Sequence, residues 1–540
     1  MVCALALLLS GCSGSTGQLA ATETPPGSTP PSGATSTDVT TYHNDVARTG
    51  QNLTETILTT ANVNSQSFGL LRNLMVDGKV DAEPLYLSQL TIAGVTHNVV
   101  FIVTENDSVY AFDSDTGSQL WQVSLLPSGE TTSDDHGCGQ ITPEIGITST
   151  PVVDRSAGQH GTIFVVAMSK NGSNYFQRLH ALDVTTGAEL LGGPATIQAK
   201  YPGTGDNSSG GYVVFDPGQY AERAGLLLLN GVIYTGWTSH CDSQPYTGWV
   251  IAYNESNLAQ NNVLNLTPNG AEGSIWQSGD GLAADPQGYI YALVANGTFD
   301  TTLSASGLPS SGDFGNAFVK ISNSAGKLQV VDYFDMFNTT TESDDDTDLG
   351  SGGALVLPDF TNGSGASVQL AVGAGKDGNI YVVNRNNMGK FTPGSNLIYQ
   401  ELSGALPFGV WGVPAYFNNA VYYCDQSDTL KSFSVSNATL SGVASSQTTA
   451  SFAYPGLLPS VSANGSSNGI VWAIENTSTA VLHAFLASNL SQELYNSNQA
   501  ANGRDNFGSG NKFITPAIAD GKVFAATTNS VAVFGLLPSH

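Results

Sequence analysis

Basic residues are scarce in this chain of 540 residues, in which 17 Lys and Arg stand against 44 Asp and Glu for a net charge of −27. A surface of this sign repels nucleic acid and anionic lipid, so neither is expected as a partner. Charged residues of both signs make up only 11% of the chain, and few stretches have helical periodicity. The 61 glycines and many short apolar runs between turn residues instead predict an all-β fold.

Long hydrophobic runs are also absent, and the most apolar segment stands at the N-terminus. Residues 2–9 are apolar and lead into Leu9-Ser10-Gly11-Cys12, although no Lys or Arg precedes Arg48. The segment resembles a bacterial lipoprotein signal with its cleavage box. It predicts a signal peptide over residues 1–12, with Cys12 lipidated as the first mature residue. The alternative is a short apolar N-terminus that is not processed.

The next segment lacks large apolar side chains. Residues 13–40 are rich in Ser, Thr, Gly and Pro, which predicts a flexible tether. Residues 41–540 are then expected to form one domain. This organisation predicts an exported, monomeric protein of the bacterial cell envelope, held at a membrane only by its lipid anchor. Its expected partner is a small molecule or an envelope protein.

Cysteines are few, and after removal of the signal and lipidation of Cys12 three remain. Cys138 and Cys241 lie in polar, loop-like segments, whereas Cys424 lies in the apolar run 420–424. An oxidising compartment permits one disulfide among three cysteines. We therefore expect a Cys138–Cys241 disulfide and a buried free thiol at Cys424, the alternative being three free thiols.

A two-strand unit recurs eight times along the chain. Each unit has an apolar strand, a short polar turn and a second apolar strand, except that the fourth contains a long excursion. The paired segments are 99–103 with 109–113, 162–167 with 179–183, 232–237 with 250–254, 289–294 with 317–321, 369–373 with 380–384, 420–424 with 430–433, 470–474 with 481–485, and 522–526 with 531–534. The repeated occurrence of this two-strand unit along the chain predicts a β-propeller with four-stranded antiparallel blades.

The last unit lacks an outermost strand because the chain ends at His540. A spare apolar strand occurs near the other end, at residues 68–75. We expect this N-terminal strand to complete the last blade and to close the ring without a covalent bond. Eight blades are predicted; seven would require that one hairpin be misassigned.

The first unit continues with an extended motif, Ala111-Phe112-Asp113-Ser114-Asp115-Thr116-Gly117-Ser118-Gln119-Leu120-Trp121. It resembles the tryptophan docking motif, AxDxxTGxxxW, of the eight-bladed quinoprotein (pyrroloquinoline-quinone, PQQ) alcohol dehydrogenases. The second unit repeats the motif but has Leu191 where Trp is expected. In that family the tryptophans pack blade against blade. The resemblance extends over residues 66–536 and implies that fold.

The resemblance also implies a site on the propeller axis, where the family holds the quinone over Ca²⁺. On this basis Asp242, Asn296 and Asp346 are the expected metal ligands, and Asn296 and Lys376 are expected to contact the cofactor. Asp346 and Asp348, in the acidic run 342–348, occupy the place of the catalytic Asp. Carboxylates and an amide oxygen suit Ca²⁺, which takes about six to eight oxygen ligands. Since the corresponding turns of all blades open on one face, Glu105 and Lys170 are expected there as well.

Each of these segments also has a simpler interpretation. Acidic runs are commonly solvated loops, and Lys376-Asp377-Gly378-Asn379 and Asn296-Gly297 are ordinary turn sequences. Two features of the family are missing: no two cysteines are adjacent, and no Cys-x-x-Cys-His haem motif occurs, so no haem is expected. The sequence therefore favours a ligand- or protein-binding propeller without a complete catalytic set. The alternative is a PQQ- and calcium-dependent dehydrogenase that oxidises an alcohol or sugar in the periplasm.

Overall fold

Antiparallel β-sheets make up nearly the whole of the computed structural model, which describes residues 37–538. Eight sheets of four or five strands follow one another along the chain, with three smaller ones between them. We number the eight large sheets 1 to 8 in chain order. The described residues contain one α-helix, Thr339–Asp344, and no helix among them is long and apolar enough to cross a membrane.

The first four large sheets are formed by residues 85–334. Sheet 1 contains Leu85–Ile92, Val95–Val103, Ser108–Asp113 and Gln119–Ser124; sheet 2 contains Thr131–Thr132, Val152–Asp154, Thr162–Asn171, Asn174–Asp183 and Ala195–Thr196; sheet 3 contains Leu227–Leu229, Val232–Gly236, Trp249–Asn254 and Gln260–Asn265; and sheet 4 contains Ala283–Ala284, Ile290–Leu293, Phe318–Ser324 and Lys327–Phe334.

The remaining large sheets repeat this order. Sheet 5 contains Leu355–Val356, Leu370–Ala374, Ile380–Asn384 and Gln400–Leu402; sheet 6 contains Ala415–Phe417, Ala420–Cys424, Asp428–Ser436, Thr439–Leu440 and Ser446–Phe452; sheet 7 contains Gln51–Asn52, Ser460–Asn464, Ser467–Glu475, Val481–Leu486 and Asn489–Asn496; and sheet 8 contains Phe68–Met75, Ala517–Ala519, Lys522–Ala526 and Ser530–Leu536. Each of the eight predicted hairpins therefore lies in a different large sheet.

The smaller elements lie in the connections. Three short sheets are formed by Lys200–Pro202, Ser208–Ser209 and Tyr212–Val214, by Tyr220–Ala221 with Thr238–Ser239, and by Phe360–Thr361 with Ser367–Val368. Four 3₁₀ turns occur at Gln277–Gly279, Leu349–Ser351, Ser497–Gln499 and Ala501–Gly503.

The predicted pairing of the two ends of the domain is present in sheet 8. Phe68–Met75 runs antiparallel to Ser530–Leu536, with Phe68 opposite Leu536 and Met75 opposite Ser530. The ladder has a register shift between Leu70 and Arg72. The first strand after residue 66 and the last strand of the chain thus share one sheet.

Trp121 joins neighbouring sheets in the manner implied by the docking motif. Its indole Nε1 donates a hydrogen bond to the Val184 carbonyl in the turn that follows strand Asn174–Asp183 of sheet 2, at 3.1 Å. A Cβ on Gly187 in the same turn would lie 2.8 Å from the Trp121 ring. The absence of a side chain at Gly187 therefore lets the indole of sheet 1 pack directly on sheet 2.

An unpredicted feature of the fold is the N-terminal segment, which we define as residues 38–52. Its backbone pairs with Tyr86 in sheet 1, and it accepts hydrogen bonds from one strand in each of sheets 2, 4, 5, 6 and 7, at Val153, Ala284, Val356, Tyr416 and Val461. The Asn52 side chain donates to Ile518 in sheet 8. Arg48 donates to Leu226, directly before the first strand of sheet 3. This segment therefore reaches all eight large sheets.

Residues 37–40, the last four of the predicted tether, are part of the described structure. Val39 is buried and exchanges two backbone hydrogen bonds with Tyr86, at 2.8 Å each. These residues belong to the same compact unit as the sheets. Polar composition does not reveal a single apolar residue that finds a strand partner. Cys12 and residues 13–36 lie outside the described residues.

Candidate ligand-binding cavity

A cavity of about 110 Å³ lies among loops within sheets 3, 4 and 5 and the connections between neighbouring sheets. Four of the side chains predicted for a site line this cavity: Asp242, Asn296, Asp348 and Lys376. Asp346 does not line it, and its side chain is 67% exposed. Of the two candidate catalytic carboxylates, Asp348 is therefore the one that faces the cavity.

Close approach of two loops brings Asp348 to Lys376. The Lys376 backbone N–H donates to the Asp348 carbonyl at 2.9 Å. A Cβ on Gly375 would lie 2.4 Å from that same carbonyl oxygen, and one on Gly350 would lie 2.3 Å from the Ala295 nitrogen. Glycine at these two positions is thus required for the loop after helix Thr339–Asp344 to pack against its neighbours.

Lys376 is the charge partner of both predicted catalytic carboxylates. Its Nζ lies 2.5 Å from Asp346 Oδ1 and 2.7 Å from Asp348 Oδ1. Burial lowers the pKa of Lys376, but the two carboxylates outweigh burial and raise that pKa to about 12. Burial raises the pKa of Asp348, and the Lys376 ammonium opposes this shift. The ammonium therefore stabilises negative charge in a buried place.

Asn296 presents an unused acceptor to the cavity. Its Nδ2 donates to Asp346 Oδ1 at 2.7 Å. Its Oδ1 is buried and has no hydrogen-bond partner among the described residues. A buried amide oxygen without a partner costs free energy unless water, an ion or a ligand satisfies it. Asn296 Oδ1 is thus a candidate ligand atom.

Asp242 lies in a strained turn beside the disulfide. Cys241 and Asp242 both have left-handed backbone conformations, with φ of 51° and 52°. Tyr246 donates a hydrogen bond from its hydroxyl to Asp242 Oδ1 at 2.6 Å, and Cys241 is bonded to Cys138 with the Cα atoms 5.5 Å apart. Two such residues in succession persist only where neighbours hold them, and here these two links do so.

The disulfide and three aromatic rings form the apolar part of the lining. Cys138, Cys241, Trp276, Trp411 and Tyr454 all line the cavity. The rings of Trp411 and Tyr454 meet edge to face with centroids 5.7 Å apart. The sequence pattern did not identify the three aromatic residues, because each stands in an irregular connection without strand periodicity. Cys424 lies apart from the cavity as a buried free thiol, and burial raises its pKa to about 12.

Two residues expected on this face do not line the cavity. Glu105 accepts hydrogen bonds from the Gly146 backbone at 2.8 Å and the Thr148 hydroxyl at 2.9 Å. Lys170 forms an ion pair with Asp134. Both side chains are thus bound to residues 134–148, between the first two strands of sheet 2, which sequence spacing alone did not indicate.

Ca²⁺ would require several oxygen donors in this cavity, and a flat quinone would require apolar walls and sufficient volume. Asp242, Asn296 Oδ1 and Asp348 provide the oxygen donors that Ca²⁺ prefers, although no group of three or more His, Cys, Asp or Glu within residues 37–538 is arranged to hold a metal. Asp346, predicted as a ligand, is already bonded to Lys376 and Asn296. Flat apolar walls suit a ring system, while the volume is below the roughly 300 Å³ of typical ligand pockets.

Comparison with known proteins identifies the fold of this chain. No family model and no curated protein matches the chain. Among solved structures, the quinohemoprotein alcohol dehydrogenase from Comamonas testosteroni matches with a TM-score of 0.58 and 14% identity, over 93% of this chain and 82% of that one. The quinohemoprotein alcohol dehydrogenase ADHIIG from Pseudomonas putida HK5 has the same TM-score and identity, over 93% and 81%. At this identity the similarity shows that the chain has a quinoprotein-like β-propeller fold.

Proposed function

We propose that this chain is a quinone-dependent dehydrogenase of the β-propeller type that oxidises a small alcohol or sugar. The observation that carries the proposal is the meeting of Asp242, Asn296, Asp348 and Lys376 in one cavity lined by aromatic rings and a disulfide. These residues come from four separate loops, so no local sequence preference accounts for their meeting. The binding module favoured by the sequence becomes the second candidate.

The proposal includes a ring of eight blades, each blade being one large sheet. The N-terminal segment supports this arrangement, because one stretch of 15 residues, 38–52, contacts one strand in each of seven sheets and the residue before the first strand of sheet 3. Strands that surround a common segment in this way are expected at the centre of a propeller. Pairing of Phe68–Met75 with Ser530–Leu536 would then close the ring.

The cavity residues have distinct roles in this proposal. Asp242 and Asn296 Oδ1 would hold Ca²⁺, with Lys376 facing the oxygens of the quinone. A bound quinone would supply the electron acceptor, taking up the hydride as the alcohol becomes a carbonyl compound. Asp348 is placed to receive the hydroxyl proton, since it is the buried carboxylate that faces the cavity. The Lys376 ammonium would keep that carboxylate ionised before the reaction.

Reconstitution tests the proposal. Purified protein is incubated with PQQ and Ca²⁺, and bound chromophore and reduction of an artificial electron acceptor are measured with a panel of alcohols and sugars. Asn296→Leu should abolish cofactor binding, whereas Asp348→Asn should retain the cofactor and lose turnover by at least about 100-fold. Asp345→Asn, in the same acidic run but outside the cavity lining, is the matched control. Absence of a bound chromophore in the native protein would reject the dehydrogenase.

A binding module is the second candidate, and two observations favour it. The volume of about 110 Å³ is small for a three-ring cofactor, and Lys376 already neutralises Asp346 and Asp348. In that case the cavity would bind a smaller ligand, or its rim would bind an envelope protein. Native protein that binds no quinone but retains a ligand visible by mass spectrometry under non-denaturing conditions would support this function.

The location of the protein is part of the proposal. An exported chain lipidated at Cys12 would be held in the bacterial envelope, and the Cys138–Cys241 disulfide is consistent with an oxidising compartment. Replacement of Cys12 by Ser should release the protein from the membrane fraction, because a short apolar segment alone does not give stable anchoring. Equal membrane retention of Cys12→Ser would reject the anchor.

A further inference from the structure

Two cations behind the cavity wall lack an anionic partner. Arg223 is only 3% exposed, and its Nη2 has no hydrogen-bond partner among the described residues. Lys512 is half-buried, and its Nζ donates to Gln140 Oε1 at 2.9 Å. No carboxylate of residues 37–538 lies within 4.0 Å of either charge. A buried charge without a counter-ion is costly, so this arrangement calls for an anion.

Both cations lie over or beside the ring of Phe513. The Arg223 guanidinium lies 5.8 Å from the centroid of the Phe513 ring, and Lys512 Nζ lies 5.7 Å from it. A Cβ on Gly279 would lie 2.6 Å from Arg223 Nη1, so the guanidinium packs directly against this glycine. The position of the guanidinium is therefore fixed, although its charge is not paired.

Two acidic groups act on these cations electrostatically, but neither forms an ion pair with them. Asp81 forms its ion pair with Lys79 at 3.1 Å and accepts a hydrogen bond from Asn511 at 2.9 Å. Glu222 precedes Arg223 in the chain, but burial raises its pKa well above the usual value and favours the neutral form. In a chain with 17 basic residues and 44 acidic ones, two cations without an adjacent carboxylate are an unexpected combination.

We infer that Arg223 and Lys512 form a binding subsite for a small oxyanion, a carboxylate or a phosphate, beside Phe513. Arg223 would bind two oxygens of the anion through its planar guanidinium, and Lys512 would add a second charge. Exposed Gln140, which binds Lys512 and lines the cavity, marks the side from which an anion enters. Trp276, which lines the cavity, packs on Phe513 with the ring centroids 5.0 Å apart. The subsite does not depend on the proposed dehydrogenase.

Calorimetric titration of the full-length protein with sodium phosphate and with sodium acetate tests the inference, at constant ionic strength adjusted with sodium chloride. We expect saturable binding of at least one oxyanion, and at least about tenfold weaker binding in Lys512→Met and in Arg223→Met. Lys200→Met is the matched control, because Lys200 also lies over an aromatic ring, at 5.0 Å from Tyr212, but elsewhere on the surface. Preference for acetate or for phosphate identifies the class of anion.

The titrations distinguish a specific oxyanion subsite from a cation pair that binds only water. Heat of binding that Lys512→Met abolishes and Lys200→Met leaves unchanged supports the subsite. Absence of binding by both oxyanions, or equal binding in native protein and Lys512→Met, overturns it and leaves ordered water as the partner of Arg223 Nη2. Should Arg223→Met fail to fold, Lys512→Met decides alone. Whether or not an oxyanion binds, the test of quinone binding is decided separately, since that test uses variants of Asn296 and Asp348.

Discussion

At the level of single residues, the charge balance of the cavity depends on Lys376. This side chain is the counter-ion of buried Asp348 and of exposed Asp346, and it lies 17% exposed between them. Removal of one partner of a buried ion pair leaves the other charge without compensation, which costs far more than the pair contributes. The pair is therefore sensitive to a change of either member.

Replacement of Lys376 by Met should lower the free energy of unfolding by about 3 kcal/mol at neutral pH. Burial already raises the pKa of Asp348, and loss of the ammonium removes the group that opposes this shift. The folded variant then favours protonated Asp348, so its deficit relative to native protein should grow as pH rises and shrink in acid. Urea unfolding from pH 4 to pH 8 measures this; Lys327→Met, at an exposed strand end, should change stability little. A deficit independent of pH would contradict the pairing.

Glu83 gives a second pH dependence, because its carboxylate is buried and the Arg48 guanidinium offsets that burial only in part. Burial raises its pKa from 4.5 to about 8, while the His43 backbone N–H, which donates to Glu83 Oε2 at 2.8 Å, opposes the shift. An acid with a raised pKa in the folded state destabilises the fold as pH rises from the unfolded value through the folded one. Stability should therefore fall between about pH 4.5 and pH 8.

Replacement of Glu83 by Gln should flatten that fall, since the amide oxygen can still accept the hydrogen bond from His43 and carries no charge. The midpoint of urea unfolding at pH 5 and at pH 8 is the measurement, with half-buried Glu401→Gln as control. A variant that loses stability as steeply as native protein over this range would show that Glu83 is not the responsible group.

How much of the cavity could be predicted depends on where each residue stands in its loop. Asp242, Asn296 and Lys376 follow predicted strands within a few residues, so hairpin order and the family resemblance located them. Trp276, Trp411 and Tyr454 stand in long connections whose course depends on packing between sheets. Asp346 and Asp348 are two residues apart in one acidic run, and only the fold of the loop decides which of them faces the cavity.

At the level of elements, the strands were predictable and the N-terminal segment was not. A strand pair can be recognised from the local sequence, by alternation of apolar and polar residues and by turn residues such as Asp113, Thr116 and Gly117. Residues 38–52 have no such pattern, because their partners belong to eight different sheets and become neighbours only in the folded chain. Arg48 is the clearest sign of this arrangement, being 1% exposed in a chain with few basic residues.

Replacement of Arg48 by Met should destabilise the fold by at least about 3 kcal/mol. Arg48 donates to the carbonyls of Tyr42, Leu226 and Leu282 at 2.8 to 3.1 Å, and these buried acceptors would lose their partner. Arg155→Met is the matched control: Arg155 binds Asp38 of the same segment but is 40% exposed, so its loss should cost below about 1 kcal/mol. Equal losses in denaturant unfolding would show that the segment contributes little. If Arg48→Met does not fold, Arg48→Lys should show a smaller loss in the same direction.

At the level of the whole molecule, the early strand Phe68–Met75 and the last strand, Ser530–Leu536, meet beside sheet 7. Phe68 begins the strand that pairs with Ser530–Leu536, and its ring packs at 5.3 Å from Trp472, 5.0 Å from Tyr495 and 6.2 Å from Phe534. One side chain near the start of the domain thus contacts two strands of sheet 7 and one of sheet 8. If these contacts close a ring, they couple the unfolding of its first and last parts.

Replacement of Phe68 by Ala tests this coupling. Phe68 is fully buried, so the lost contacts and the cavity left behind should lower the free energy of unfolding by about 3–5 kcal/mol. Amide hydrogen exchange in Ser530–Leu536 should accelerate, while Ile380–Asn384 in sheet 5 provides the internal comparison. Phe408→Ala removes an exposed ring of the same size and should have little effect. Closure predicts a single cooperative transition in native protein, because neither end can unfold without exposing the rings around Phe68. Native protein whose sheet 8 unfolds in a separate earlier transition, or a loss below about 1 kcal/mol in Phe68→Ala, would mean that Phe68–Met75 only covers a sheet edge and does not close a ring.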